Sequence, residues 1–333
     1  MKGAKTEKSK RKEKLKFAFY WAASCGGCEI AVLDINEKVL DVLQIADIVF
    51  WPVAMDVKYK DVEKFGDREI DVCFFNGAIR NDENEHMAKL LRKKSKILIA
   101  FGSCACEGCI PGLANLFDKN KIFEKVYRNS PSTINPDFKT PKSVLEVPEG
   151  KLTLPAFLDK LKTLDQTVDV DYYLPGCPPP PRLVVEAVEK IANGKLPEKG
   201  TVLAPVKSLC DECRRNKEGK RMPYIKRVYE IKADPEKCFI EQGIICMGPA
   251  TRSGCGTMCI NANMPCTGCM GPVPGVEDQG ARMMSAIASF LKTDGDMSEE
   301  EIEERIKKIK DPLGTFYMYG FAKSILGRVG WRK

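Results

Sequence analysis

Two cysteines separated by two glycines, Cys25-Gly-Gly-Cys28, stand where an apolar run ending in Tyr20-Trp-Ala-Ala meets a segment of helical pattern, Glu29-Ile-Ala-Val-Leu. A thiolate pair at a strand-to-helix turn faces the free backbone N–H groups of the helix start. An anionic metal–sulfur centre there would be held by covalent bonds and by the helix dipole together. Gly26 and Gly27 let the backbone wrap closely around a bulky ligand. Alone, the pair fits three chemistries: half a zinc site, a redox dithiol, or part of an iron–sulfur site. The other thiols narrow the choice. Cys104 follows an apolar run in Gly-Ser-Cys104, and Cys177 follows another in Pro-Gly-Cys177-Pro-Pro-Pro-Pro. Cys210, Cys213, Cys238, Cys246, Cys255, Cys259, Cys266 and Cys269 then crowd into one later stretch and make two sets of four.

The elements that must position these thiols follow from periodicity. From Leu15 to residue 194, short apolar runs alternate with helix-period segments, the pattern of a parallel-sheet α/β domain. Strands are expected at Lys16–Ala22, Ile48–Val53, Asp71–Phe75, Ile97–Phe101 and Asp171–Leu174, and helices at Ile30–Gln44, Glu83–Lys94 and Leu183–Ala192. In the first helix Ile30, Leu33, Val39, Leu40 and Leu43 form a stripe expected to face the core. Ligands of open α/β sheets gather outside the carboxyl ends of the strands. Three such ends bring Cys25, Cys28, Cys104 and Cys177 to one place, and four thiolates is the number a four-iron, four-sulfur cluster takes.

Residues 129–170 carry no evident chemistry. A loop is expected over 129–136 and a short amphipathic helix over Leu154–Leu164, the whole reading as an insertion that covers an edge of the domain or touches a partner. After Gly194-Lys-Leu-Pro197 the alternation stops and a cysteine-dense, Gly- and Pro-rich region begins. So much loop cannot build a large apolar core, so metal centres must supply the cross-links. Helical pattern resumes at Asp278–Lys292 and Ser298–Lys310, the latter with a Ser298/Glu301 capping box and Glu303/Lys307 and Glu304/Lys308 pairs on a solvated face. The apolar, aromatic stretch 311–321 reads either as a partner interface or as ordinary packing.

The net charge of +7 is concentrated at the start, where eight basic residues stand against two acidic ones in the first sixteen. A basic, apolar-poor segment of this kind reads as a disordered tail over 1–15, and the near-neutral remainder gives no footprint for nucleic acid. Fifteen cysteines without a secretory signal point to metal ligation in a reducing, cytoplasmic setting, with no direct membrane insertion.

Cys-x-x-Cys after the first strand, Gly-Ser-Cys104, Pro-Gly-Cys177-Pro-Pro and Pro-Cys266-Thr-Gly-Cys269 together resemble the small subunit of nickel–iron hydrogenases, in order over residues 16–292. The block Glu241-Gln-Gly-Ile-Ile-Cys246-Met-Gly-Pro-Ala-Thr-Arg-Ser-Gly-Cys255 and the later Gly275-Val-Glu-Asp-Gln-Gly280 are most similar to the cytoplasmic methyl-viologen-reducing type. That type couples to heterodisulfide reductase and does not reduce the deazaflavin coenzyme directly. The resemblance implies a flavodoxin-like domain over 16–197 and an iron–sulfur domain over 198–333. It implies a proximal cluster on Cys25, Cys28, Cys104 and Cys177, a distal one on Cys210, Cys213, Cys238 and Cys246, and a medial one on Cys255, Cys259, Cys266 and Cys269. Many relatives use histidine as the first distal ligand. Here that position is Cys210, and the only histidine, His86, falls in the expected Glu83–Lys94 helix as a surface residue. Relatives with a three-iron medial centre lack one cysteine that is present here as Cys259, so three four-iron clusters are expected. The implied partners are a large subunit that holds the nickel–iron centre, an iron–sulfur adaptor and a heterodisulfide reductase flavoprotein.

Cys73, Cys106 and Cys109 remain. Cys73 on a strand reads as a small buried hydrophobe. Cys106 and Cys109 flank Cys104 and leave an alternative ligand set open, though Cys104 alone follows the Gly-Ser pair. Glu29 and Glu107, beside thiols, read as dipole complementation or as proton carriers. Two rivals share parts of the pattern. A complex I-type quinone-reducing subunit matches the first half but not residues 210–269. A zinc-binding interaction module accounts for Cys210–Cys213 and Cys266–Cys269 but leaves the cysteines at three strand ends unexplained.

Overall fold

The computed structural model describes residues 14–219, 221–291 and 298–327. The basic segment expected as a tail therefore lies almost wholly outside the described residues, as does Lys292 at the end of one expected helix.

The chain runs β1 (Leu15–Trp21), α1 (Gly27–Leu33), α2 (Lys38–Ile45), β2 (Ala46–Phe50), α3 (Tyr59–Lys64), β3 (Ile70–Asn76), β4 (Ile79–Asn81), α4 (Asp82–Lys94), β5 (Ser95–Phe101) and α5 (Ser103–Glu107). It continues through α6 (Lys119–Tyr127), β6 (Val144–Val147), β7 (Gly150–Thr153), β8 (Phe157–Lys162), β9 (Tyr172–Leu174) and α7 (Pro181–Ala192). Five strands form one parallel sheet in the order β2-β1-β3-β5-β9, which is the flavodoxin-like order. Both faces are covered, which is why the strands read as near-continuous apolar runs. Phe17, Phe19, Val72, Phe74, Ile99 and Phe101 pack against Leu183, Val184, Val188 and Ile191 of α7 on one face. Tyr20, Cys73, Phe75 and Leu98 pack against Met87, Ala88 and Leu91 of α4 on the other.

Three expectations about the elements are corrected. The helix expected over Ile30–Gln44 is two helices, α1 and α2, interrupted where Asn36 adopts a positive φ of 55°. The break changes the phase of the stripe. Ile30, Leu33, Leu40 and Leu43 are exposed, Val39 is partly buried, and Cys28, Glu29, Ala31, Val32 and Ile35 face inward instead. The helix expected over Leu154–Leu164 is strand β8, antiparallel to β4, and β6 with β7 forms a separate hairpin before it.

The second half is short helices and turns: α8 (Leu209–Glu212), α9 (Met258–Asn261), α10 (Gln279–Phe290), α11 (Glu299–Lys307) and α12 (Pro312–Phe316). The Ser298/Glu301 capping box and a 3.1 Å Glu303–Lys307 pair are present at α11. Met222, Phe239, Ile244, Met247, Met283 and Phe316 gather into a second core. Phe316, Tyr317 and Phe321 are buried, so the stretch 311–321 packs against the chain's own second half. Leu203 and Met270 cross back to close the first core. Among the described residues, no helix is long and apolar enough to cross a membrane.

The edge strand β9 is anchored by Asp171, whose buried carboxylate accepts from the Leu98 amide at 2.8 Å, from Arg92 at 2.6 Å and from Lys199. Burial alone would raise its pKa, but the bonds from Arg92 and Lys199 outweigh that and hold it below the usual carboxylate value. Its stabilising contribution is therefore present above the unfolded-state pKa near 3.9 and is lost as the pH falls through the folded value. We expect Asp171→Ala to lower the unfolding free energy by roughly 3 kcal/mol, because it strips a partly buried cation of its partner. The stability of Asp171→Ala should also depend less on pH below about 4 than the parent's in chemical denaturation, and an unchanged slope would remove Asp171 from the acid response.

Candidate metal centres

The carboxyl ends of β1, β5 and β9 open on the same edge of the sheet. Cys25 is exposed on the turn after β1, and Cys28 is buried at the start of α1. Cys104 is buried in α5, and Cys177 follows β9, leading into the proline run before α7. The turn after β5 runs against Cys28: a Cβ on Gly102, whose φ is +85°, would stand 2.2 Å from Cys28 Sγ. Only glycine fits there. The turns are also bonded to each other, since Gly102 N donates to Leu174 O and Ser103 N to Gly176 O, both at 2.8 Å.

Cys28 lies within electrostatic reach of Cys25 and Cys177, and the set contains a fifth thiol. Cys109 Sγ is 3.7 Å from Cys177 Sγ and within hydrogen-bonding reach of Cys104. Sequence spacing places Cys104 alone at this site and leaves Cys106 and Cys109 open. The structure separates the two: Cys106 Sγ donates to Ala100 O at 3.4 Å and belongs to the core of the sheet, whereas Cys109 packs with Cys104. The four-residue gap between Cys104 and Cys109 carries no signal that the chain doubles back.

The later cysteines sort into two further groups. Each of Cys210, Cys213, Cys238 and Cys246 lies within electrostatic reach of the other three. A Cβ on Gly248 would come within 3.1 Å of Cys210 Sγ and 3.6 Å of Cys246 Sγ. Lys217 Nζ donates to the carbonyls of Cys210 and Cys213, at 2.6 and 3.1 Å. Cys255, Cys259, Cys266 and Cys269 share, with Cys177, the wall of a largely apolar cavity of about 400 Å³. The three groups stand in a row. Ser103 Oγ donates to Cys269 O, joining the first group to the second, and Cys266 N donates to Cys246 Sγ at 3.3 Å, joining the second to the third.

Burial governs the thiols' protonation. It pushes Cys28, Cys238, Cys255 and Cys266 above the ordinary thiol value, Cys210 and Cys269 up to about 12, and Cys246 up to about 11. Cys177 is raised first by its hydrogen bond with Cys109 and then by burial. Such thiols are neutral unless a metal takes the place of the proton. Sets of four soft sulfur donors, in pockets relieved of Cβ atoms and beside a cavity of this size, fit iron–sulfur clusters. Among the described residues, no group of three or more His, Cys, Asp or Glu closes around a single metal ion. His86 is exposed on α4, and Cys73 is fully buried in β3.

The two carboxylates next to thiols in sequence differ in setting. Glu29 is buried behind Cys28, accepts from Trp51 Nε1 and from Asn76 Nδ2 at 3.2 Å, and is raised by burial. Glu107, also raised by burial, lies 3.8 Å from Lys323, which pairs with Asp165 at 2.9 Å beside a cavity of about 360 Å³.

Comparison with known proteins gives this geometry a family. Residues 25–191 match the model described as NADH ubiquinone oxidoreductase, 20 Kd subunit. That match covers the sheet domain and stops before the cysteine-dense half. The iron-sulfur subunit of the F420-non-reducing hydrogenase of Archaeoglobus profundus is 42% identical over 92% of this chain and 96% of its own length. The corresponding subunit of the F420-non-reducing hydrogenase of Methanothermobacter thermautotrophicus is 40% identical over 94% of this chain and 96% of its own length. A chain of a crystal structure of NAD+-reducing [NiFe]-hydrogenase in the H2-reduced state is 26% identical with a TM-score of 0.48, covering 56% of this chain and 95% of that one. With relatives that match both halves almost end to end, the chain belongs to the family of F420-non-reducing hydrogenase iron-sulfur subunits, which are small subunits of hydrogenases, within the wider family of the NADH ubiquinone oxidoreductase 20 Kd subunit.

Proposed function

We propose that this chain is the electron-relay small subunit of a cytoplasmic nickel–iron hydrogenase, carrying electrons from dihydrogen oxidation on a large subunit toward an iron–sulfur adaptor and a heterodisulfide reductase flavoprotein. Cys25, Cys28, Cys104 and Cys177 hold the proximal four-iron cluster, Cys255, Cys259, Cys266 and Cys269 the medial one, and Cys210, Cys213, Cys238 and Cys246 the distal one. The observation that carries this reading is the row of three thiol sets, each bonded to the next through Ser103 and Cys266. When bound, such clusters supply one-electron carriers whose potentials follow charge, hydrogen bonds to sulfur and solvent exposure.

The chain's own residues set those three variables. At the proximal end Cys25 is exposed, and Trp21, Ile30 and Leu33 beside it present apolar side chains to solvent. A surface of that kind suits a large partner subunit docked over the proximal site. At the distal end the exposed Lys207, Arg214 and Lys217 stand among Asp211, Glu212 and Glu218 around the Cys210–Cys213 turn, so the exit from the relay presents charges of both signs to its acceptor. The quinone-reductase alternative is supported only by the half of the chain that both families share, residues 25–191.

The complex purified without oxygen should contain about twelve irons and an equal amount of sulfide per copy of this chain, after the partners' content is subtracted, and nickel in the large subunit. About four irons would favour the quinone-reductase relative, and zinc without sulfide would sink the relay. Cys259→Ser should convert one centre to a three-iron form visible by electron paramagnetic resonance, and an unchanged spectrum would take Cys259 off the ligand list. Gly102→Ala, which puts a methyl group on the sulfur of Cys28, should cost the proximal centre alone, about four irons; full iron content would show that the close approach is dispensable.

A further inference from the structure

We propose that Cys109 is a reserve iron ligand at the proximal site, placed to take over when Cys104 is lost. The inference rests on the cluster assignment above. Four thiolates complete a four-iron set, and this site offers five thiols. Of the three cysteines outside the assigned sets, Cys73 is closed inside the sheet and Cys106 is turned toward Ala100, whereas the sulfur of Cys109 meets the sulfur of Cys177 at 3.7 Å and reaches Cys104. Its position between two ligand candidates lets it replace one without moving the other.

The chain holds Cys109 there against its backbone preference. The residue has φ 51° and ψ −157°, a combination suited to glycine, yet a cysteine occupies it with only 1% of its surface exposed. Three contacts from the end of the chain fix the turn. Cys109 N donates to Tyr319 O at 2.9 Å, Lys323 Nζ donates to Cys106 O at 3.1 Å, and Ala322 packs with Cys104 and Cys109 over Gly108, where a Cβ would meet the Ala322 methyl at 2.5 Å. The exchange itself is redox-neutral. The iron–sulfur bond to Cys104 breaks and that sulfur takes a proton, while Cys109 gives up its thiol proton as its own iron–sulfur bond forms.

The test compares anaerobically purified complexes carrying Cys104→Ala, Cys104→Ser, Cys109→Ala, the Cys104→Ala/Cys109→Ala double change, and the Cys25→Ala/Cys28→Ala double change, which leaves only three thiols, as the control without a proximal centre. Iron and sulfide per chain and the paramagnetic resonance spectrum of the reduced complex are read. Cys109→Ala should keep the full count, either Cys104 variant should keep it with an altered proximal signal, and the double variant should lose about four irons. A Cys104 variant that loses as much as the double variant overturns the proposal, as does loss of the centre from Cys109→Ala alone. So does failure of both Cys104 variants to assemble while the Cys25→Ala/Cys28→Ala control assembles. A parent complex without about twelve irons would instead sink the relay reading on which the proposal stands.

Discussion

The hydrogen bonds of Ser103 tie the two halves of this protein together at the thiol-bearing edge of the sheet. The serine's amide bonds Gly176 O, tying the turn after β5 to the turn after β9, and its buried hydroxyl bonds Cys269 O in the second half. The residue before it, Gly102, admits the sulfur of Cys28 from the turn after β1. Three strand ends and the last cysteine of the cysteine-rich region are therefore fixed within two consecutive residues. A parallel sheet brings its carboxyl edges together in any case. What is particular here is that the shared edge is packed tightly enough for one extra methyl group to collide with a sulfur.

That packing has an electrostatic consequence. Thiols withdrawn from water with few cations beside them favour the neutral form, as Cys28, Cys210, Cys246 and Cys269 show. The cation closest in role is Lys217, and it is bonded to the carbonyls of Cys210 and Cys213, not to a sulfur. On the proposed assignment the positive charge that stabilises the thiolates would come from metal, which would couple loading to folding of the second half. The second core is built from scattered residues such as Met222, Phe239, Ile244 and Met283, with no sheet beneath them, and it is here that cross-links contribute most to stability.

The sheet and the convergence of Cys25, Cys28, Cys104 and Cys177 are legible in the sequence because both rest on local signals: period-two or fully apolar runs, and a cysteine directly after each of three of them. The exposed face of α1 and α2 is not. A stripe such as Ile30, Leu33 and Leu40 has the same period whether it meets the chain's own core or another subunit, and only the break at Asn36 reveals that it turns outward. Strand β8 leaves no local mark of its pairing because its partner, β4, is three residues long and sits far back in the chain, with Asn81 opposite Phe157. Cys109 is hidden for a related reason. Its proximity to Cys177 depends on a positive φ and on Tyr319 and Ala322 at the far end of the chain, none of which leaves a mark near Cys104.

The spacing between the thiol sets is fixed by single groups of the cysteines' own backbone. The amide of Cys177 lies beside the sulfur of Cys269, and the amide of Cys266 donates to the sulfur of Cys246. A cysteine of one set thus solvates a sulfur of the next. Because hydrogen bonds to sulfur also raise the potential of an iron–sulfur centre, on the proposed assignment the contacts that set the distance between neighbours would also tune them. A shift of either loop would change spacing and potential together. This explains why the region is rich in turn-forming Gly and Pro: the backbone must approach the next sulfur directly, and a regular helix or strand would spend its amides on itself.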